Sequence, residues 1–351
     1  MSARRAAALI IAGGRGTRFW PESRARRPKP LFSIDGRATL LGETIARLKP
    51  LIERRQIFVL VPVDQRALFR SALRGLLPPA NLIVEPEGRG TAVAIAYGCA
   101  VIANRCGAGV VAVMPADHYI APAAGFRRTL ADAIGLAAAR RAVVVIGVAP
   151  TRAEPGYGYQ QIGRRVGRGF EVERFVEKPP LAQARRMVAS GRFLWNAGIF
   201  VMDTRALEAE LDEHAPALAG AMRELGGARP AAVARIYRRL HFDAFDRVVA
   251  EKSRNVLTVK ARFGWHDVGS WEGLWQAVRG RASNVLKGEV LALDSEGVLA
   301  RADRRLMVLL GVRDLVAVDT GDAILIAGRQ SSQELRRVVD ELARRGLQRY
   351  L

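Results

Sequence analysis

Lysine, cysteine and long apolar runs are scarce in this sequence. With only six lysines, arginine supplies nearly all of the formal net charge of +21, and it is spread in pairs such as Arg54-Arg55 and Arg140-Arg141. A nucleic-acid interface would cluster its cations, because clustered cations gain by releasing phosphate counterions. The scattered pairs favour solvated helix faces, so we expect no nucleic-acid partner, although the positive field would attract anionic substrates.

The two cysteines, Cys99 and Cys106, are seven positions apart in one apolar helical pattern. Two helical turns exceed the reach of a disulfide bond, so we expect two buried thiols in a reducing compartment. No apolar run approaches the ~20 residues of a membrane span, and the amino-terminal stretch lacks the long apolar core of a signal peptide. We therefore expect a cytoplasmic protein without a membrane partner.

Short apolar runs alternate with helical patterns in the first half of the chain. The runs are "AAALIIAG", "QIFVLVP", "NLIVEP", "GVVAVMP" and "AVVVIGVAP". Continuous β-rich runs between amphipathic helices indicate parallel strands covered on both faces. The predicted fold class is α/β, with a doubly wound, mostly parallel, Rossmann-like sheet. Ligands of such sheets bind at the carboxyl ends of the strands, so the residues after each run are the candidate site.

The pattern changes twice further along the chain. From about Gly156, mixed strands and helices extend the sheet or form a substrate lid. After Arg281, five short strands separated by turns predict a small β module, β-helix-like, with a terminal helix. We therefore predict a domain at 1–281 and a second domain at 282–351.

A glycine-rich, basic loop follows the first apolar run. It lacks the lysine and hydroxyl pair of a P-loop and the third glycine of a dinucleotide fingerprint. Its glycines nevertheless let backbone N–H groups approach an anion closely, and its basic side chains can neutralise that anion. A tight turn with solvated arginines is the alternative. The candidate residues are Gly13, Gly14, Arg15, Gly16, Arg18 and Lys29.

Two aspartates are candidates for a metal site. Asp117 in "PADH" follows the fourth apolar run, and Asp267 stands in "GWHDVGSW" far along the chain. Mg²⁺ prefers oxygen ligands and is bound by one or two carboxylates plus water or substrate phosphate. A capping role is the alternative for Asp117. As a pair they predict a site for Mg²⁺ or another divalent cation.

Three later motifs carry groups that suit a sugar phosphate. In "FVEKP", Lys178 could hold a phosphate and Glu177 could accept hydrogen bonds from sugar hydroxyls, although a surface ion pair is the alternative. "GYGY" allows close backbone approach, and "WNAGIF" offers Asn196 as both donor and acceptor. No arrangement of nucleophile and base indicates covalent catalysis.

In order along the chain, the motifs resemble those of the mannose-1-phosphate guanylyltransferases, also called GDP-mannose pyrophosphorylases. The set is "GGRGTRFWPESRARRPKPLF", "EPEGRGTA", "PADH", "GYGY", "FVEKP", "WNAGIF", "FDRVVAEKS" and "WHDVGSW". The likeness continues through "DLVAVDTGDAILIA" and so covers nearly the whole chain. Longer bifunctional relatives carry an additional isomerase domain that this sequence lacks, so we expect no isomerase activity.

The resemblance implies metal-assisted, in-line transfer of a guanylyl group from GTP to mannose 1-phosphate, which gives GDP-mannose and pyrophosphate without a covalent intermediate. It also implies roles for individual residues. The triphosphate would bind to Gly13, Gly14, Arg15, Gly16, Thr17 and Arg18, with Lys29 on its phosphates. The nucleoside would bind at Glu85, Arg89 and Thr91, and the metal at Asp117 and Asp267. The sugar phosphate would bind at Gly158, Glu177, Lys178 and Asn196. Four of these would be catalytic, namely Arg18, Lys29, Asp117 and Asp267.

The chain departs from the family pattern at three positions. Gly90 and Val93 replace the asparagine and proline of the usual Arg-Asn-Thr-Ala-Pro, and Ala197 stands where serine is common. The base and the hexose therefore stay open, and another sugar-1-phosphate nucleotidylyltransferase is the nearest alternative. A non-catalytic sensor of nucleotide sugars is a further one. We also expect a homodimer, because the short exposed strands of the β module invite pairing.

Overall fold

The computed structural model describes residues 6–14, 16–107 and 109–351. These residues divide into two compact units. Unit one comprises the residues up to Gly13, 45–116 and 120–264, and unit two comprises 14–44, 117–119 and 265–351. The boundary near Arg281 stays a prediction.

The strands of the described residues account for every apolar run named above. In chain order they are β1 (Ala7–Ile11), β2 (Ile57–Pro62), β3 (Leu82–Glu85), β4 (Val110–Pro115), β5 (Tyr119–Ala121), β6 (Val143–Val148), β7 (Tyr159–Val166), β8 (Gly169–Val176), β9 (Phe193–Asp203), β10 (Val256–Lys260), β11 (Gly264–His266), β12 (Val285–Lys287), β13 (Val290–Leu293), β14 (Leu299–Arg301), β15 (Met307–Leu310), β16 (Leu315–Asp319) and β17 (Ile324–Gly328).

The helices lie between these strands, except for the last one, which follows β17. They are α1 (Leu40–Leu48), α2 (Arg66–Ala72), α3 (Thr91–Cys106), α4 (Ala123–Arg140), α5 (Leu181–Ala189), α6 (Thr204–His214), α7 (Pro216–Leu225), α8 (Pro230–Tyr237), α9 (Trp271–Val278) and α10 (Leu335–Arg344). A five-residue π-helix, Asp246–Ala250, follows α8. No helix in the described part of the chain has both the length and the apolar character needed to cross a bilayer.

Unit one is built on a nine-stranded sheet of order β3-β2-β1-β4-β9-β6-β10-β8-β7. The five apolar runs of the first half are β1, β2, β3, β4 and β6, and β1 pairs in parallel with both β2 and β4. Strand β9 lies antiparallel between β4 and β6. Leu9 of β1 is fully buried against α3, where Gly98 leaves room for its side chain. The predicted α/β fold class is confirmed.

Unit two contains the β module and the segment 14–44. In the module, β12, β14 and β16 pair in parallel, β13 pairs in parallel with β15, and β17 runs antiparallel to β16. Phe19 and Phe32 pack against Trp271, with ring centroids 5.0 and 6.0 Å from the tryptophan. The sequence predicted five strands here and missed β12, because a three-residue strand ending before Gly288 carries almost no apolar pattern.

The two cysteines differ in exposure. Cys99 is buried as expected, but Cys106 is exposed. The expectation of a second buried thiol was wrong because Cys106 is the last residue of α3, where the helix ends before Gly107. Burial raises the pKa of the Cys99 thiol to about 12, so this thiol stays protonated.

Candidate functional site

Lys29 contacts both aspartates that are predicted to bind the metal, and all three residues lie in unit two. Its ammonium donates a hydrogen bond of 2.7 Å to Oδ2 of Asp117 and one of 3.0 Å to the backbone carbonyl of Asp267. The lysine is 8% exposed and lies in a short 3₁₀ helix that carries Pro30 in its first turn. Residues 88 and 238 positions away in the chain therefore meet at one buried cation.

A second contact joins the same two motifs. Nε1–H of Trp265 donates to Nδ1 of His118 at 3.1 Å, and the two rings are edge to face. Because Nδ1 accepts this bond, the proton of the neutral imidazole lies on Nε2. The sequence pattern predicts no role for His118, and its only signal in the sequence is its place beside Asp117.

The backbone next to Asp267 is strained. Val268 is fully buried with φ of +47°, which is an outlier for a β-branched residue. At Gly269, an added Cβ would lie 2.8 Å from Oδ2 of Asp267 and 3.4 Å from Nη1 of Arg18. The glycine thus leaves room for a carboxylate and a guanidinium to approach the same point. Strain of this kind concentrates at ligand sites.

In the glycine loop, Gly16 lies close against Lys29. Gly16 has left-handed backbone angles, and a Cβ there would lie 2.6 Å from Cβ of Lys29. Gly13 and Gly14 are exposed, and no described residue would lie within 4 Å of a Cβ at either position. Thr17 begins a 3₁₀ helix that also contains the exposed Arg18. Arg15, predicted to neutralise the anion, lies outside the described residues.

The two aspartates have the chemistry of a divalent-cation site. Their side chains are partly accessible, 26% exposed for Asp117 and 31% for Asp267. Among the residues that the structure describes, no group of three or more histidine, cysteine or acidic side chains could hold a metal ion. Two carboxylates with water and substrate phosphate are a typical Mg²⁺ environment, so the donor set fits.

Three of the predicted sugar-phosphate residues meet in unit one. The backbone N–H of Asn196 donates to the carbonyl of Gly158 at 2.8 Å. A Cβ at Gly158 would lie 2.5 Å from Oε2 of Glu177 and 3.2 Å from Cβ of Asn196. Only glycine therefore lets the Glu177 side chain, which is 8% exposed, pack at this point.

Lys178, the fourth predicted residue, is exposed and conformationally unusual. Its Nζ lies 3.0 Å from Oε1 of Glu177, and its side chain is 55% exposed. Its φ of +50° is in the left-handed region, which is uncommon for a residue other than glycine. This unusual backbone conformation thus occurs at an accessible lysine just after the end of β8.

Two acidic residues for which the sequence predicts no role contact these sugar-phosphate residues. Nδ2 of Asn196 donates to Oδ1 of Asp246 at 2.5 Å, and the backbone N–H of Glu177 donates to Oε1 of Glu251 at 2.6 Å. Burial, and then the negative charge of Glu177, raise the pKa of Asp246 to about 6. Both residues belong to "FDRVVAEKS", a motif quoted above only for its resemblance.

The predicted nucleoside residues also lie in unit one. Glu85, the last residue of β3, is 7% exposed, and burial raises its pKa to about 7 although the Tyr237 hydroxyl opposes the rise. Its Oε1 has no hydrogen-bond partner among the described residues. Arg89 donates to Glu87 at 2.9 Å and lies 2.9 Å from Nδ1 of His241. Glu85 is thus a buried acceptor that a ligand with N–H donors would satisfy.

The structure explains why glycine stands at position 90, where the family usually has asparagine. Gly90 has φ of +91° and ψ of 158°, a region that essentially only glycine adopts. A Cβ there would lie 2.2 Å from the carbonyl oxygen of Phe242. Next to it, Oγ1 of Thr91 accepts a hydrogen bond from the N–H of Phe245 at 3.0 Å. The segment before the π-helix therefore occupies the space that a side chain at position 90 would need.

The other two departures lie in the core. Val93 of α3 and Ala197 of β9 are both completely buried.

Comparison with protein families matches residues 7–284 to the nucleotidyl transferases. Residues 288–342 match the MannoseP isomerase/GMP-like beta-helix domain. Because the first match covers most of the chain, the protein belongs to the nucleotidyl transferases.

Individual relatives narrow this class. The mannose-1-phosphate guanylyltransferase of Escherichia coli K12 is 35% identical over 353 residues, 95% of this chain and 73% of that protein. The xanthan biosynthesis protein XanB of Xanthomonas campestris pv. campestris B100 is 34% identical over 346 residues, 96% of this chain and 73% of that protein. A crystal structure from Thermus thermophilus, described as a mannose-1-phosphate geranyltransferase, has 36% identity and a TM-score of 0.88, and it covers 97% of this chain and 99% of that chain.

The chain belongs to the mannose-1-phosphate guanylyltransferase family of enzymes. The resemblance predicted from the motifs is confirmed, and so is the class of enzyme. Nucleotidyl transferases of this family generally use a divalent metal.

Proposed function

We propose that the protein transfers a guanylyl group from GTP to mannose 1-phosphate and releases pyrophosphate. The observation that supports this best is the contact of Lys29 with Asp117 and Asp267, which gathers a cation and two acidic residues from distant motifs at one point of unit two. Transfer to a sugar phosphate needs no general base, because the attacking oxygen is already anionic. Positioning and charge stabilisation therefore dominate the catalysis.

In unit two, Gly14, Gly16 and Arg18 would bind the triphosphate, and Lys29 would neutralise its charge. Asp117 and Asp267 would hold Mg²⁺, which when bound supplies positive charge to the phosphates. Lys29 would also keep the two aspartates in place, since it already donates to both residues.

In unit one, Gly158, Glu177 and Asn196 would bind the hexose and Lys178 its phosphate. The exposed Nζ of Lys178 suits a dianionic group, and the buried carboxylate of Glu177 suits hydroxyl donors. Glu85, Arg89 and Thr91 would bind the nucleoside. Guanine carries N–H donors that match the buried Oε1 of Glu85.

The experiment is pyrophosphate release with Mg²⁺, measured for four nucleoside triphosphates against mannose 1-phosphate, glucose 1-phosphate and no sugar. We expect release only with GTP and mannose 1-phosphate, and no turnover after chelation of the metal. Release with another pair would contradict the substrate assignment and favour a different sugar-1-phosphate nucleotidylyltransferase. Binding without any release would favour a sensor.

We further propose that the protein forms a homodimer through the β module. Leu291 and Leu293 of β13 pair in register with Val308 and Leu310 of β15, and all four side chains are between 45% and 66% exposed. Such an apolar strip on short strands suits pairing with a second copy.

Light scattering after size exclusion should give a dimer for the wild type and a monomer for Leu310→Glu. A Leu306→Glu variant, whose exposed residue precedes β15, serves as the matched control. A monomeric wild type at working concentration would overturn the dimer.

A further inference from the structure

The π-helix and the residue that follows it bring two carboxylates into contact with the residues of unit one that are predicted to bind the sugar phosphate. The backbone N–H of Glu251 donates to the carbonyl of Asp246 at 2.8 Å, which is the i to i+5 bond of a π-helix. Asp246 and Glu251 are therefore one turn of this wider helix apart. An ordinary α-helix would bring residue 250 rather than 251 over Asp246.

Asp246 fixes the side-chain amide of Asn196. Nδ2 donates to Asp246 at 2.5 Å, while Oδ1 of the same amide accepts the N–H of Gly198 at 2.8 Å. With both ends bonded, the amide has one orientation. Nδ2 carries a second N–H, so Asn196 is set to donate to a sugar hydroxyl.

Glu251 fixes the end of β8. Its Oε1 accepts the backbone N–H of Glu177 at 2.6 Å, and the next residue, Lys178, has the left-handed φ of +50°. The Lys178 N–H in turn donates to the carbonyl of Tyr157 at 3.2 Å. These two bonds hold the backbone turn that aims the Glu177 and Lys178 side chains.

The π-helix is anchored without help from its carboxylates. Phe245, which precedes it, is fully buried and packs on Phe200 with ring centroids 4.9 Å apart. Val248, Val249 and Ala250 of the helix are buried as well. Because apolar packing holds the segment, we expect changes at the two carboxylates to leave it folded.

We propose that Asp246 and Glu251 are positioning residues for the sugar phosphate, Asp246 acting through Asn196 and Glu251 through the backbone of Glu177 and Lys178. The inference rests on the proposed function, since it assumes that these residues bind the sugar phosphate. In this proposal, the π-helical spacing lets one carboxylate reach the Asn196 amide and the other the Glu177 N–H.

The test compares KM for mannose 1-phosphate with KM for GTP in four variants. Asp246→Ala and Glu251→Ala lose the acceptor, and each should raise KM for mannose 1-phosphate about tenfold while KM for GTP stays within about twofold. Asp246→Asn and Glu251→Gln keep an acceptor oxygen, and each should restore KM to within about threefold of the wild type. Glu224→Ala, at an exposed position of α7, should leave all constants unchanged.

Equal rises in both KM values, or no rescue by the amide variants, would overturn the proposal. If one alanine variant unfolds, as judged by its melting temperature, the other still decides the outcome. The wild-type substrate panel is measured first. If the wild type uses a different sugar 1-phosphate, the proposed function fails separately, and the same variants are compared with that sugar.

Discussion

Lys29 in unit two and Glu85 in unit one are buried to nearly the same extent, 8% and 7% exposed, but they are satisfied differently. The lysine donates to two oxygen atoms within 3.0 Å. Oε1 of the glutamate has no partner among the described residues, and burial raises its pKa to about 7. Burying a charge is costly unless it is paired, so the lysine is compensated within its unit, whereas one carboxyl oxygen of the glutamate is not.

The difference indicates two ways to prepare a site. A paired charge is held in place before any ligand binds, which suits a residue that organises phosphates and metal. An unpaired acceptor gains its hydrogen bond only when a ligand supplies the donor, which suits recognition of a base. Selectivity for the base should therefore depend on unit one, and turnover should depend on unit two.

The largest expected effect is removal of the paired charge. Lys29→Met removes the ammonium that pairs with the Asp117 carboxylate and bonds the Asp267 carbonyl, and we expect kcat to fall by about 10²–10³. Lys29→Arg should not restore it, because a planar guanidinium cannot replace a compact ammonium at this position. Steady-state kinetics check both, with the exposed Lys260→Met as the control. Activity of Lys29→Met within about threefold of the wild type would remove Lys29 from the catalytic group.

A smaller effect is expected where the nucleoside loop meets the segment before the π-helix. Gly90→Asn restores the family's usual residue, but it requires a backbone region restricted to glycine and a Cβ 2.2 Å from the Phe242 carbonyl oxygen. We expect the free energy of unfolding in urea to fall by about 2–3 kcal/mol. Gly88→Asn, with open space around it, should change it by less than about 1 kcal/mol. Equal effects of the two substitutions would mean that the Phe242 contact does not constrain position 90.

Local chemistry explains which features the sequence could predict. Strands β1 to β4 were recognisable because a strand covered on both faces needs an unbroken apolar run. Lys29, Asp117 and Asp267 could each be selected by their place beside prolines or strand ends. Their meeting at the Lys29 ammonium depends on tertiary folding across 238 positions, which no local pattern encodes.

The π-helix could not be predicted for a related reason. Phe245 and Val249 are both fully buried around its i to i+5 bond, but the segment has no residue periodicity that distinguishes a π-helix from an α-helix. The proposed roles of Asp246 and Glu251 therefore could not be predicted, although their motif is part of the family resemblance. Sequence patterns predict candidate ligand-binding residues more readily than the residues that would hold them in place.

The smallest expected effect is a pH dependence of stability that the buried carboxyl of Glu85 produces. Its pKa rises from 4.5 to about 7 on folding, so the folded state favours the protonated form. The stabilising contribution is complete below pH 4.5 and is lost as the pH rises through 7. Glu85→Gln removes this loss. Between about pH 5.5 and 8, the free energy of unfolding of this variant should therefore rise by about 2 kcal/mol relative to that of the wild type. Urea unfolding across this range measures it, with the exposed Glu53→Gln as control. A constant difference between Glu85→Gln and the wild type would mean that the carboxyl is solvated or paired in the folded protein, and the contrast with Lys29 would then disappear.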